Sequence, residues 1–467
     1  MACTDYGTIL PRCNRVSNLK YDVNVDEESG VETLVSRREA GSVFGAAALI
    51  AGTTIGAGIL ALPAVTAPAG FIPSTGALCV GWAYMAASAL LIAELAINRI
   101  SETGRPGVGL LDMQRTYLGK RGAIAGGSAY FFLHYAVMVA YIAQGGANMG
   151  VALDALGLNA FSQVNGLDQA LFTALVGGTI YFAKPGTMVK LNNILVVGVL
   201  ASFFGLVGIG AQTIDIGALL APENQDPTNV VNTFPIIFLS LVYHNVVPTV
   251  VTQLEGDATK IRTAIVTGSF VPFLMYLGWN AVILGNALSN PSVAGDILSG
   301  QLDPISLLQN GSTGDQILSQ LVNVFSELAV ITSLIGFVYG IQDGLRDVFS
   351  IAKDSPEDVK WKPAIFGATL MPPLLLSAYN PDIFLTALDY GGAFGVSTLF
   401  LVLPPLMVWK MRYEDTEKKV ATLPLMPGGK ISLASLWKAA GTLIIEQGAE
   451  KIGLLAWIHE QWVAITT

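Results

Sequence analysis

The chain has 467 residues, 52% of them hydrophobic and only 13% charged, where soluble domains carry about a quarter charged. With a mean hydropathy of +0.57, that composition excludes an ordinary soluble enzyme and implies a polytopic membrane protein. A net charge of −9, with no basic patch among aromatics, argues against a nucleic-acid partner.

Cys3, Cys13 and Cys79 lack metal or redox spacing, and His134, His244 and His459 are scattered. No metal site, disulfide framework or cofactor is therefore expected. No phosphate-binding loop is present, which argues against transport driven directly by ATP in this chain. Nor does any nucleophile–base pair occur in the apolar segments, so the chain is not expected to be an enzyme.

Residues 1–40 are polar, with an acidic run (Asp22, Asp26, Glu27, Glu28, Glu32) followed by Arg37 and Arg38. They read as a disordered tail, without the apolar core of a signal peptide and too acidic for an intact transit peptide. Residues 41–457 form the membrane region, and 458–467 a second tail.

The first apolar segment, 42–68, contains LIAGTTIGAGILALP at 49–63. Gly52, Thr53, Thr54, Ile55, Gly56 and Gly58 make poor helix, each glycine costing about 1 kcal/mol relative to alanine. Within a bilayer, broken backbone persists only where it lines a cavity. A broken helix offers N–H groups to a carboxylate and free carbonyls to a cation. The plainer alternative is a close helix crossing on small residues.

Ten further apolar segments follow, at 72–97, 123–148, 169–183, 191–212, 231–252, 263–288, 317–341, 363–378, 383–409 and 431–457. Most reach the ~20 residues that cross ~30 Å of hydrocarbon. The last carries Lys438, Glu446, Glu450 and Lys451, and fits a surface helix nearly as well.

Basic residues sort sharply. The N-terminal tail and the loops after segments 2, 4, 6, 8 and 10 hold 23 of the 25 Lys and Arg, and the alternate loops hold none. The positive-inside rule then places the N-terminus on the cytoplasmic or equivalent side, in a plasma or inner membrane or a plastid inner envelope.

Segment 6 carries YHNVVP, with Tyr243, His244, Asn245 and Pro248 at mid-membrane. It is a second interrupted helix, five segments after the first, and segments 4 and 9 are both short. An odd offset gives the second half the opposite topology. Interrupted helices at matching places in inverted halves point to a transporter's central site. Residues 42–212 and 231–409 are read as the two repeats, with 431–457 appended.

Four stretches, AGTTIGAGILALP, YHNVVPTVVTQLEGD, ELAVITSLIGFVYGIQDGLRDVF and LDYGGAFGVSTLFLVLPPLM, resemble the aromatic amino acid permeases, the tryptophan/tyrosine permeases. That family belongs to the amino acid–polyamine–organocation superfamily. The resemblance, strongest to the tyrosine-specific members, covers about residues 41–457. It implies an all-α LeuT-type fold and symport of an aromatic amino acid with a proton by alternating access. Sodium coupling and a non-transporting amino acid sensor are the alternatives.

On this resemblance Gly52, Thr53, Thr54, Gly56 and Gly58 present backbone to the substrate, with Tyr243, His244 and Asn245 at the second break. His244 suits a proton carrier, since its ordinary pKa lies near 6.5, or else it caps the broken backbone. Glu94 and Glu327 are the other proton-coupling candidates, Glu94 alternatively pairing with Arg99. Thr332 and Ser333 match a hydroxyl pair that would complete a sodium site with the Gly52 and Ile55 carbonyls, or else bond back to their own helix. Tyr141 is the expected ring contact, and His134 is expected to be satisfied by a neighbour. Arg346, with Glu39 as partner, and Asp389 are the gating candidates. Beyond the aromatic amino acid the expected partner is the lipid bilayer, and the oligomeric state stays open.

Overall fold

The computed structural model describes residues 41–56, 58–103, 108–158, 164–309, 316–353, 355–414, 424–454 and 457, together with the backbone of 21–25 and 32–36. Tyr21–Val25 (β1) and Glu32–Ser36 (β2), inside the stretch expected to be disordered, pair antiparallel with Tyr21 opposite Ser36. Their alternation of β-branched and polar residues is the pattern that pairing uses.

All eleven apolar segments are helical. Val43–Thr54 (α1) starts on the Ser42 hydroxyl, which accepts from the Gly45 N–H at 3.0 Å, as an N-cap should. Gly58–Thr66 (α2) resumes at 60° to α1. Next come Phe71–Thr103 (α3) and Leu110–Ala155 (α4). The latter is longer than the expected 123–148 and is broken at Gly119, whose φ of 70° lies in the left-handed region that glycine tolerates. Leu167–Phe182 (α5) and Pro185–Gly210 (α6) complete the first half.

The second half opens with Phe234–Ser240 (α7), a gap, and Val247–Gln253 (α8). Pro248 lies in the first turn of α8, where its missing N–H costs nothing. Ala258–Ala287 (α9) starts on Asp257, whose carboxylate accepts from the Thr259 and Lys260 N–H groups. Gln316–Phe349 (α10) and Pro356–Tyr379 (α11) follow. At 24 residues α11 is not the short segment expected, because the polar run after Ser355 joins the helix. Phe384–Glu414 (α12) is π-wound over Gly391–Val402, and Gly429–Lys451 (α13) closes the chain. Short helices at Ile216–Leu220, Pro291–Leu298 and Pro304–Gln309 cap one face. Among the described residues, seven helices are long and apolar enough to cross a membrane, or eight with the α1–α2 pair; α5, α11 and α13 fall outside that set.

Packing follows the five-segment offset. α1 lies on α9, and the second broken pair (α7, α8) lies on α3. Likewise α6 packs on α10 and α12 on α4, while α4 meets α10 and α5 meets α11. Each of these contacts maps onto another, or onto itself, when every helix is replaced by the one five segments away. That is the inverted repeat of a LeuT-type fold, and its buried core runs continuously through both halves.

The basic ends gather at one face. Lys362 at the start of α11 donates to the Tyr181 carbonyl at the end of α5 (2.7 Å), and Arg262 of α9 to the Leu425 carbonyl before α13 (2.8 Å). α13 starts there, beside Leu425, and ends with Lys451 Nζ 2.5 Å from Asp389 near the start of α12. It therefore packs along α12 and antiparallel to it.

Near the opposite face α12 seats on α7. A Cβ on Gly392 would lie 2.0 Å from the Pro235 carbonyl oxygen, so nothing larger than glycine fits without moving backbone. Gly392→Ala should lower stability by about 1–3 kcal/mol, read by thermal unfolding in detergent. Unchanged unfolding would show that α12 does not seat there.

Candidate functional site

The first break forms because α1 runs out at Thr54 and Ile55 turns extended (φ −71°, ψ 102°). Its N–H still bonds the Ala51 carbonyl at 3.1 Å, and the Ile59 N–H bonds Gly56 at 3.2 Å. Thr53 and Thr54 donate their hydroxyls back to Leu49 (2.7 Å) and Ile50 (2.8 Å). Their hydroxyl protons are thus committed to the helix, so the donors these two residues can offer a ligand are backbone N–H groups.

Gly56 faces α10: a Cβ there would start 3.2 Å from the Ser333 hydroxyl. Ser333 in turn lies beside the Tyr141 hydroxyl of α4. Tyr141 is buried and stands edge-on to Phe337 at 5.7 Å. Gly56, Ser333 and Tyr141, named separately from the sequence, thus converge at one place with a phenyl ring beside them. Toward the basic face, Gly52 on α1 and Gly336 on α10 each border open space.

Thr332 does not share this setting. Its hydroxyl donates within α10, to Leu328 (2.9 Å) and Ala329 (3.1 Å), which is the plainer of its two readings.

The second break lies between Ser240 and Val247, with Tyr243 at φ −143°, ψ 8°. Tyr243 and His244 are fully buried and Asn245 is exposed. The His244 ring lies between Tyr243 (5.0 Å) and Phe400 of α12 (4.8 Å), facing the Met85 backbone. Neither ring nitrogen has a hydrogen-bond partner, so His244 does not cap the broken backbone. A buried polar side chain left unsatisfied calls for a functional account.

The two breaks are joined by hydroxyls that the sequence reading passed over. Ser240 Oγ donates to the Gly58 carbonyl at 3.0 Å, and the Tyr276 hydroxyl of α9 lies 2.6 Å from the Thr54 carbonyl and 2.9 Å from that of Ser240. The available signal was Tyr276 and Asn280, four apart and hence on one face of a mid-membrane helix.

The remaining candidates sit elsewhere. Glu94 is fully buried, with Arg412 Nε at 2.6 Å from one oxygen and the Leu425 N–H at 3.0 Å from the other. Arg99 instead pairs with Asp112 at 2.7 Å. Glu94 is thus a structural ion-pair partner of α12 rather than a carboxylate facing the breaks. Glu327 accepts from Asn148 at 2.9 Å, tying α10 to α4. Arg346 bonds Asp343 (2.9 Å) and Asp358 (2.8 Å), fastening α10 to α11, and Glu39 lies outside the described residues. His134 is held by the Tyr130 carbonyl at 2.8 Å, the neighbour expected of it. Among the described residues no three His, Cys, Asp or Glu could hold a metal ion.

The model of the tryptophan/tyrosine permease family matches residues 39–445. The tyrosine-specific transport system 2 of Haemophilus influenzae is 32% identical over 84% of this chain and 92% of its own length. The glutamine transporter 2 of Aliivibrio fischeri is 26% identical over 87% and 99%. A tryptophan-specific transport protein of Haemophilus influenzae is 26% identical over 79% and 87%. Among solved structures, the inward-facing conformation of Mhp1 superposes with a TM-score of 0.56 at 16% identity, covering 92% of each chain. This multi-pass membrane protein belongs to the tryptophan/tyrosine permease family.

Proposed function

We propose that the chain carries tyrosine or tryptophan across its membrane together with a proton, by alternating access around the two breaks. The observation that carries this reading is the convergence of Gly56, Ser333 and Tyr141, with Phe337 beside them. A zwitterion needs donors for its carboxylate and acceptors for its ammonium, and two half-helix ends meeting at mid-membrane supply both. An aromatic side chain gains from edge-on and offset ring contacts. A relative named a glutamine transporter means that family membership alone does not select the side chain, and the aromatic wall favours a ring.

His244, an imidazole at the second break that can take up a proton once the break opens to water, is the support for a proton as the coupling ion. The Thr332 hydroxyl donates within its own helix and keeps its lone pairs, so sodium stays the alternative coupling ion. With the basic ends on the cytoplasmic side, the open space at Gly52 and Gly336 is our candidate for the inward path. The Asp389–Lys451 pair and the Gly392–Pro235 contact then close the outer face.

The test is uptake of tyrosine and of tryptophan into proteoliposomes under an imposed pH gradient or an imposed Na⁺ gradient. Concentrative uptake driven by the pH gradient in sodium-free buffer is expected. A strict Na⁺ requirement would move the coupling ion to Ser333 and the Gly52 and Ile55 carbonyls. Binding without uptake under either gradient would make the protein a sensor.

A further inference from the structure

We infer that Tyr276 is a positioning residue for the substrate site, its hydroxyl tying the end of α1 to the end of α7 so that the two breaks keep one geometry. The inference deepens the transport reading above, and part of its test is independent of that reading.

A helix ending inside a membrane leaves its last carbonyls without donors, and hydrocarbon supplies none. α1 ends at Thr54 and α7 at Ser240. Tyr276 is fully buried, and its oxygen lies 2.6 Å from the first of these carbonyls and 2.9 Å from the second. A phenol has a single proton to donate, so two acceptors share it. Both are served only while the two helix ends stay within reach of one oxygen. That oxygen also faces the Gly56 backbone, where the first break opens toward Ser333.

The rest of α9 is built to hold Tyr276 in place. One turn further on, Asn280 accepts from the Thr66 hydroxyl of α2 at 2.9 Å, so α9 is bonded to both halves of the first span. Nearer its start, Gly268 lets it lie against α1: a Cβ there would sit 2.7 Å from the Ala47 carbonyl oxygen. Ser240 adds the parallel bond to Gly58. α9 is therefore a splint across the first break, and the Tyr276 hydroxyl is where it also grips the second. An ordinary core role would account for the buried ring, but not for a hydroxyl set between two helix-terminal carbonyls. If α1 and α7 carry the groups that read the two ends of an amino acid, a shift of about 1 Å between them costs far more affinity than one lost hydrogen bond.

Tyr276→Phe removes the oxygen and keeps the ring. Hydrogen exchange of residues 50–58 and 240–246 should rise about tenfold at both breaks. In uptake, KM for tyrosine should rise about tenfold with Vmax within about threefold, a split that simple loss of folded protein does not produce. Unchanged exchange at either break, or an unchanged KM, overturns the inference. If the parent protein carries no aromatic amino acid, the transport reading fails while the exchange comparison still decides the brace. Should Tyr276→Phe not yield folded protein, Ser240→Ala cuts the parallel bond and leaves both Tyr276 contacts, so exchange at 50–55 and 240–246 should stay within about threefold of the parent. A rise of about tenfold at both breaks would assign the joint to Ser240 and overturn the inference.

Discussion

Gly56→Leu should abolish concentrative uptake, lowering it by about 100-fold or about 2.7 kcal/mol of binding free energy, while the protein stays folded. Gly56 is not among the residues with positive φ, so leucine meets no backbone strain there. Its Cβ would start 3.2 Å from the Ser333 hydroxyl, and the rest of the side chain would extend into the space a substrate needs between α1 and α10. Gly76→Ala, at a glycine bordering open space, is the matched control and should transport as the parent does. Uptake by Gly56→Leu within about threefold of the parent would show that substrate does not pass between Gly56 and Ser333.

Arg412→Ala should be the most destabilising single change outside the breaks, by about 3–5 kcal/mol. Glu94 is fully buried and Arg412 nearly so. Removing the guanidinium strands a carboxylate whose remaining bond is the Leu425 N–H at 3.0 Å. The loss should extend to the segment before α13, because Arg262 holds the Leu425 carbonyl at 2.8 Å from the other side. The double substitution Glu94→Leu with Arg412→Met removes both charges and should recover most of the loss, since a buried pair is worth little more than apolar packing. Unfolding midpoints in detergent decide it. A single mutant no less stable than the double would mean that the carboxylate stays solvated.

Much of the fold was legible in one sequence. Hydrocarbon thickness sets helix length, so the apolar runs marked the helices. Backbone in lipid must satisfy itself, so Gly52–Gly58 and the YHNVVP run read as breaks, with a close helix crossing as the alternative for the first. Helix ends were less legible. α11 takes in a polar run after Ser355, and α4 extends back through a glycine kink at Gly119, because helix can continue into water once its apolar stretch has ended. The π winding of Gly391–Val402 left no periodic signature, since nearly every residue there is apolar or small.

Side-chain roles divide along the same line. Which residues are ionisable, aromatic or hydroxylated within the membrane was readable directly, as was the gathering of basic residues at one face. What each of them touches depends on rotation about helix axes and on partners hundreds of residues away. Glu94 and Arg99 lie close together in sequence, yet Glu94 bonds Arg412 and Arg99 bonds Asp112. Arg346 reaches Asp358 on the next helix. Tyr276 looked like one more aromatic in an apolar helix until packing set its hydroxyl between Thr54 and Ser240. The linear chain determined the membrane class, the repeat and the two breaks, because hydropathy and backbone satisfaction act locally. Only the tertiary structure decided which side chains meet at the breaks, because close packing of helices distant in sequence sets those distances.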